Sequence, residues 1–211
     1  MTTQTFWMER TDQVAVGLRR FTYGDGGYDC AHGHHHALVY TGLEPADYAP
    51  EGYLAPRPMV ENDPRWPSRC VSCDYEFTDE DEWQMWQEQV YRRTDTGELR
   101  VLHQSCGADE LGAPSAEPGA CWDAWWMPFS KGPDGMTLMV RCPDGHDWMV
   151  DSRASNCGLP DDDVHRCWVR HGDPRECHVT VDKDGLTCSA GAGSIATPNW
   201  HGFLRDGQLV A

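Results

Sequence analysis

Short runs in which apolar and polar residues alternate, broken by turn-forming residues, fill most of this chain. Val14, Val16 and Leu18 share one side of such a run, with Phe21 and Tyr23 beyond them, and predict a strand near 13–23. Gly24-Asp25-Gly26-Gly27 ends it as a turn, and a short strand follows at Ala37–Tyr40. From residue 121 onward the same period recurs in Cys121–Met127, Thr137–Cys142, His146–Val150, His165–Arg170, Cys177–Val181, Leu186–Cys188 and Phe203–Val210. Explicit turns separate these runs: Gly132-Pro133-Asp134-Gly135, Cys142-Pro143-Asp144-Gly145, Asp182-Lys183-Asp184-Gly185 and Arg205-Asp206-Gly207. Repeated Asp-Gly turns between short alternating segments predict antiparallel sheets arranged as a sandwich or a small open barrel.

One stretch departs from the two-residue period. Trp83, Trp86 and Val90 recur at i, i+3 and i+7, as on one face of a helix. Thr78 is a suitable cap, with Asp81 three positions on as its short capping-box partner. Asp79 to Glu82 sit where a helix dipole is positive, and Arg92 and Arg93 where it is negative. These signals predict a helix over 79–93, stopped by Thr94-Asp95-Thr96-Gly97 and followed by a strand, Glu98–His103. The expected class is therefore β-rich α+β: short-stranded antiparallel sheets, one main helix near 79–93 and a Cys/His metal site.

Two segments lack either period. Six prolines fall within 44–68, which forbids helix and central strand there. Tyr48, Tyr53 and Trp66 are placed to pin this segment to the body as a surface loop; the competing reading is an arm that reaches a neighbouring subunit. Residues 104–120 are small and rich in Gly and Pro. The expected organisation is an N-terminal Cys/His module over 1–105, a linker or long loop over 106–120, and a β-rich module over 121–211.

Composition changes the picture in one respect. Ten tryptophans stand beside 21 glycines and 14 prolines, and aliphatic residues are scarce. Such a chain builds its core from aromatic rings between many turns and gains from cross-links, for which its ten cysteines are the means. The formal charge of −17 argues against direct nucleic-acid binding and against an anionic membrane surface. It suits solubility, or docking on a basic protein. The first ten residues have no basic start and no apolar core, so no signal peptide is expected, and no apolar run approaches a membrane span. Cysteines of a protein made in the reducing cytosol point to metal ligands and free thiols before disulfides.

Cys70-Val71-Ser72-Cys73 is the strongest chemical signal. Two thiolates three positions apart grip one zinc ion from a tight turn, and zinc takes four thiolate or imidazole ligands in a closed structural site. The other half is expected from Cys30 and His32, with His34, His35 or His36 as substitutes. A redox role is disfavoured, because Asp74 to Thr78 separate the pair from the expected helix start. A second, weaker set is Cys157, His165, Cys167 and Cys188, in which His165 and Cys167 project from one face of a strand; a Cys157–Cys167 or Cys167–Cys188 disulfide competes with metal there. Cys106 and Cys121 are a further candidate pair.

Other constellations are weaker. His34 and His36 could share an open catalytic metal, since alternate residues of a strand face one way. Asp161-Asp162-Asp163 and Asp182-Lys183-Asp184-Gly185 do not continue into a calcium loop with its terminal Glu. Ala190-Gly191-Ala192-Gly193-Ser194 suits an anion nest but lacks a following base or helix. Asp151, Ser194 and His201 are the residue types of a hydrolase triad without a nucleophile elbow.

As text, Asp63-Pro64-Arg65-Trp66-Pro67, Cys70-x-x-Cys73, Asp95-Thr96-Gly97-Glu98, Gly132-Pro133-Asp134-Gly135, Cys167-Trp168-Val169-Arg170-His171-Gly172, Ala190-Gly191-Ala192-Gly193-Ser194-Ile195 and His201-Gly202-Phe203-Leu204 resemble landmarks of a group of proteins carried by tailed bacteriophages and their prophages, chiefly of high-GC hosts. The likeness covers most of the chain after residue 60. It implies a phage gene product and assigns no catalytic residue. The expected function is non-enzymatic: a capsid- or tail-associated virion component or assembly protein, stabilised by zinc or disulfides. Its expected partners are other phage proteins reached through 44–68, or further copies of itself, in the host cytoplasm and then in the virion. The alternatives are a zinc-dependent hydrolase built on the histidine cluster and a small inhibitor of a host defence protein.

Overall fold

The computed structural model describes residues 2–22, 30, 33–60, 63–102, 113–127, 130–159, 161–162, 164–185, 187–190 and 193–211. In chain order the strands are β1 (Thr2–Gln4), β2 (Phe6–Phe21), β3 (His36–Pro45), β4 (Glu82–Arg93), β5 (Leu99–Val101) and β6 (Ala120–Asp123). They continue as β7 (Leu138–Arg141), β8 (Asp147–Met149), β9 (Val169–His171), β10 (Thr180–Asp182), β11 (Ile195–Thr197), β12 (Trp200–Arg205) and β13 (Gln208–Val210). Among the described residues the helical content is a single 3-10 turn, Pro174–Glu176. The chain forms two compact units that interleave in sequence. The first comprises Arg10–Arg92 and Glu98–Ser115, the second Met1–Glu9, Arg93–Gly97 and Ala116–Ala211. Where the sequence suggests one break across 106–120, the units therefore exchange chain four times.

In the first unit, β2 is flanked by β3 and β4, and β5 lies beyond β4. The β2–β3 ladder runs antiparallel from Gln13 opposite Pro45 to Phe21 opposite His36, with a register shift between Val16 and Gly17. Val14, Ala15, Val16 and Leu18 are all buried. A strand covered on both faces loses its alternation and reads as a continuous apolar run. Ala15 packs with Val90, Val101 and Ala113 on one side, while Leu18 joins Met85 and Trp66 in lining a cleft on the other.

The helix expected over 79–93 is not formed; β4 occupies that stretch. The local capping signal is nevertheless used. Thr78 N–H donates to Asp81 Oδ2 at 2.6 Å, and Asp81 N–H donates to the Thr78 carbonyl at 3.1 Å. This closes a turn, after which the chain extends. Both faces of β4 are then claimed by tertiary contacts, which override helix propensity. Trp86 lies over Gly17 and meets Tyr40 edge-on at 5.8 Å, and Trp83 meets Trp66 edge-on at 5.4 Å. A Cβ on Gly17 would stand 2.6 Å from the Trp86 ring. Gly17→Val is therefore expected to cost ~1–3 kcal/mol by overpacking, read as a lowered urea midpoint with shifted tryptophan fluorescence; an unchanged midpoint contradicts this packing.

The Pro-rich segment lies on its own unit. Tyr48 Oη donates to Gln89 Oε1 at 2.7 Å, Gln87 Nε2 donates to the Ala55 carbonyl at 2.5 Å, and Arg57 reaches Gln87 and Glu44 at 3.0 and 2.6 Å. The polar side chains of β4 thus serve as tethers for the part of the segment beyond Pro45, where an isolated bridge, Tyr48–Leu54, takes the place of a ladder.

In the second unit, β6, β7 and β8 form an antiparallel meander, and Phe6-Trp7 of β2 run parallel to Ala120-Cys121. A separate sheet has the order β1-β13-β12-β11, and β9 pairs with β10. No sheet closes into a barrel among the described residues. The β12–β13 hairpin turns on Asp206 and Gly207, both with positive φ (44° and 69°), as a two-residue turn matched to strand twist requires. The core gathers Trp7, Leu138, Val140, Ile195, Leu204 and Leu209, with Trp148, Trp168 and Trp200 packed against it. Inside this apolar unit Arg170 Nε donates to Asp151 Oδ1 at 2.8 Å, and Arg170 Nη1 donates to Asp134 Oδ2 at 2.9 Å.

Candidate metal centres

The first centre is built at a hairpin tip. Cys70 N–H donates to the Tyr75 carbonyl and Phe77 N–H to the Ser68 carbonyl, both at 3.0 Å, so Cys70-Val71-Ser72-Cys73 is held as a tight turn between short paired arms. Ser72 N–H points back at Cys70 Sγ, 3.4 Å away. His35 immediately precedes β3; its N–H donates to Thr22 Oγ1 at 3.0 Å, and its ring stacks on Tyr75 at 3.9 Å with a 3° interplanar angle. These contacts fix the imidazole with Nδ1 turned to the thiols, 3.5 Å from Cys30 Sγ and 3.3 Å from Cys73 Sγ. Cys30 Sγ and Cys73 Sγ are 3.4 Å apart. The ligand atoms of Cys30, His35, Cys70 and Cys73 all lie within 4.8 Å of one another.

The second centre joins Cys157, His165, Cys167 and Cys188 within the same limit. His165 Nδ1 donates to the Asp162 carbonyl at 2.8 Å, which leaves Nε2 as the ligand atom, 3.2 Å from Cys157 Sγ and 3.0 Å from Arg153 Nη1. Asp162 also accepts from the N–H groups of Val164 and His165, at 2.9 and 3.3 Å. Cys188 Sγ lies 3.7 Å from Cys167 Sγ and 4.0 Å from Cys157 Sγ.

These separations are too long for a bond between sulfurs and would accommodate a shared ion. A disulfide needs about 2.05 Å between sulfurs, whereas the edges of a zinc tetrahedron with thiolate and imidazole ligands measure about 3.5–3.8 Å. The observed values bracket the tetrahedron. All nine described cysteines are free thiols, which corrects the expectation of disulfides at Cys157–Cys167 or Cys167–Cys188 for the described residues. The proposed partner Cys106 lies outside them. The donor set, three thiols and one imidazole, is one that zinc accepts in closed four-coordinate sites.

Electrostatics divides the cysteines. Burial opposes the Cys70 thiolate, but the N–H groups of Ser72 and His36 and the His35 and Cys30 side chains overcome it and bring the thiol down to about 6. At Cys157 the Leu159 N–H leads, with help from His165 and Arg153, and again brings the thiol down to about 6. Burial holds Cys167 up at about 11. Cys121 and Cys142 sit in the core, where burial pushes Cys121 well above its ordinary value and Cys142 up to about 12. They are inert packing thiols.

Of the residues singled out from sequence, Cys30, Cys70 and Cys73 come together, with His35 as the imidazole. His32 lies outside the described residues. Cys157, His165, Cys167 and Cys188 come together as a set. His201 Nε2 is 2.9 Å from Ser194 Oγ, but Asp151 is engaged by Arg170 and by the Leu138 N–H. Sequence reasoning missed the cations around the second centre. Lys183 Nζ donates to the carbonyls of Cys167, Cys188 and Ala190 at 2.7, 2.9 and 2.5 Å. Arg153 donates to the carbonyls of Leu159 and Asp162 at 2.6 and 2.7 Å. Lys183 falls within an Asp-Gly turn, and nothing in the text distinguishes it from a solvated turn lysine.

No protein-family model, characterised protein or solved structure matches the chain. Among the described residues no helix is long and apolar enough to cross a membrane. The residues themselves therefore carry the functional argument.

Proposed function

We propose that the chain is a non-enzymatic β-rich module cross-linked by two structural zinc ions, one in each unit, and that it serves as a structural or assembly component of a bacteriophage particle. One observation carries the first half: each centre offers four protein ligands. Structural zinc sites are closed in this way, whereas catalytic sites keep a position for water. The phage setting rests on the textual resemblance of the landmarks after residue 60. The partner surface we favour is the Pro-rich segment, where Tyr53, Met59 and Val60 are 51, 50 and 54% exposed. An acidic chain suits a basic face of a particle protein.

Elemental analysis of the purified protein tests the first half, with two zincs per chain and thiols that react only after chelation as the expected result. A folded, metal-free protein overturns it. Mass spectrometry of purified particles tests the second half: the chain is expected among virion or procapsid proteins, and its absence from both overturns that setting.

A further inference from the structure

We infer that the two centres are unequal: the first is an oxidant-labile site that releases its metal as Cys30 and Cys73 join, while Lys183 and Arg153 lock the second. The inference rests on the zinc reading above and deepens it.

A zinc ion with three thiolates and a neutral imidazole carries a net negative charge. At the second centre two cations answer that charge. The Lys183 ammonium binds the carbonyls of Cys167 and Cys188, so it fixes two ligand-bearing segments at once. The Arg153 guanidinium ties the Leu159–Asp162 loop that separates Cys157 from His165, and its Nη1 lies 3.0 Å from His165 Nε2 and 4.0 Å from Cys157 Sγ. Nearby positive charge lowers the nucleophilicity of a bound thiolate and offsets the net negative charge of the complex. Two of the four ligands, His165 and Cys167, are buried.

The first centre is set among different groups. Cys30, His35 and Cys73 are only partly buried, and Cys70 alone is buried. The contacts that orient its ligands are a stacked tyrosine ring and backbone amides. The 3.4 Å separation of Cys30 Sγ and Cys73 Sγ places the sulfurs of two partly buried cysteines side by side. The chemistry that follows is a two-electron oxidation by a peroxide. One thiolate attacks the O–O bond, giving a sulfenic acid and hydroxide. The second thiolate displaces hydroxide from that sulfenic acid to form the disulfide. Two thiolates are oxidised, one hydrogen peroxide is reduced to two hydroxides that take up protons as water, and zinc, left with two ligands, departs.

The experiment is a hydrogen peroxide titration of the zinc-loaded protein in the presence of a chromogenic zinc chelator, with disulfides mapped by mass spectrometry. We expect one zinc per chain to be released with a Cys30–Cys73 disulfide, while Cys157, Cys167 and Cys188 stay reduced and the second zinc leaves at least ~10-fold more slowly. Simultaneous release, earlier release from the second centre, or a first disulfide between other cysteines overturns the inference. Lys183→Met is expected to weaken zinc binding at the second centre ~10–100-fold and to advance its release; an unchanged rate of release from the second centre overturns the role given to Lys183. If that variant does not fold, the wild-type disulfide map decides. Absence of zinc before peroxide is added is a failure of the underlying zinc reading and is recorded separately.

Discussion

Replacing Cys70 by Ser is expected to remove one zinc per chain and unfold the first unit, with the second centre still loaded. Cys70 is 6% exposed and stands at the tip of a hairpin whose arms are joined by the single described bridge Arg69–Glu76. Beyond Pro45 the Pro-rich segment contributes the bridge Tyr48–Leu54 in place of a ladder, and one apolar cluster consists of Ala15, Val90, Val101 and Ala113. The metal would join three separate chain segments, at Cys30, at His35 beside β3, and at the hairpin. Structural zinc binding is worth about 10–16 kcal/mol in small metal-folded domains, against a net stability of about 5–15 kcal/mol for a domain. Its loss is of the same size as the whole stability of a domain. Near-UV circular dichroism should lose the signal of Trp66, Trp83 and Trp86, and hydrogen exchange should collapse over β2 to β4. Treatment of the wild type with a strong chelator should extend the loss to the second unit. A Cys70→Ser protein that keeps two zincs and its tryptophan signal would falsify the role of the first centre.

Much of the β architecture was legible because turn chemistry is local. Gly135, Gly145 and Gly207 each adopt positive φ at the Asp-Gly turns read from sequence; β7 and β8 lie where runs were expected, whereas the run read as Phe203–Val210 is divided by its turn into β12 and β13. The stretch 79–93 was misread for a reason that is also physical. Trp83, Trp86 and Val90 fit a helical stripe, but a central strand covered on both faces has no stripe to show. Met85 on one face and Trp86 on the other are both partly buried, so neither period survives in the text. The capping pair Thr78 and Asp81 was a true local signal with a different continuation. Local bonds closed the turn, and the choice between helix and strand was made by β2, by Tyr40 and by the Pro-rich segment, which lie far away in sequence.

The metal centres divide in the same way. Cys-x-x-Cys is a local pattern and marked the first centre directly. Which histidine completes it depends on where β3 begins. His36 is the first residue of the strand, and His35, just outside it, is free to turn toward the thiols and stack on Tyr75. That boundary is not written in a run of consecutive histidines. At the second centre the His-x-Cys spacing was enough to suggest the set. The lysine that ties its ligand carbonyls could be found only in three dimensions.

Replacing Arg170 by Met is expected to cost the second unit ~3–5 kcal/mol at neutral pH, because it leaves a buried carboxylate without its partner. The Arg170 side chain is 3% exposed and that of Asp151 is 4% exposed. Gly132 admits the guanidinium, since a Cβ there would stand 2.0 Å from Arg170 Nη2. Burial raises the Asp151 carboxyl, and Arg170 opposes that rise. Burial also works to raise Asp134, but Arg170 and the Met136 N–H prevail and hold it below its ordinary value. The signs fix a pH dependence. Asp134, being depressed, stabilises the fold above an unfolded value of about 3.9, and this contribution fades as pH falls through its lower folded value. Asp151, being raised, favours the fold at low pH and loses that advantage as pH rises through its folded value. Without Arg170 the Asp151 carboxyl rises further and takes up a proton earlier on acidification, which removes the unpaired charge. The Asp134 contribution that Arg170 supports fades only below about 3.9, outside the range from pH 7.5 to 5. The Asp151 effect alone therefore shrinks the gap between wild type and variant over that range. Urea melts at pH 7.5 and 5, with excess zinc, should show the larger loss at pH 7.5. Asp151→Asn in the Arg170→Met background should recover part of it, because the uncharged amide keeps an oxygen for the Leu138 N–H, 3.2 Å from the present carboxylate. A loss below ~1 kcal/mol, of the size seen for exposed ion pairs, or one independent of pH, would show that the buried charge does not depend on Arg170.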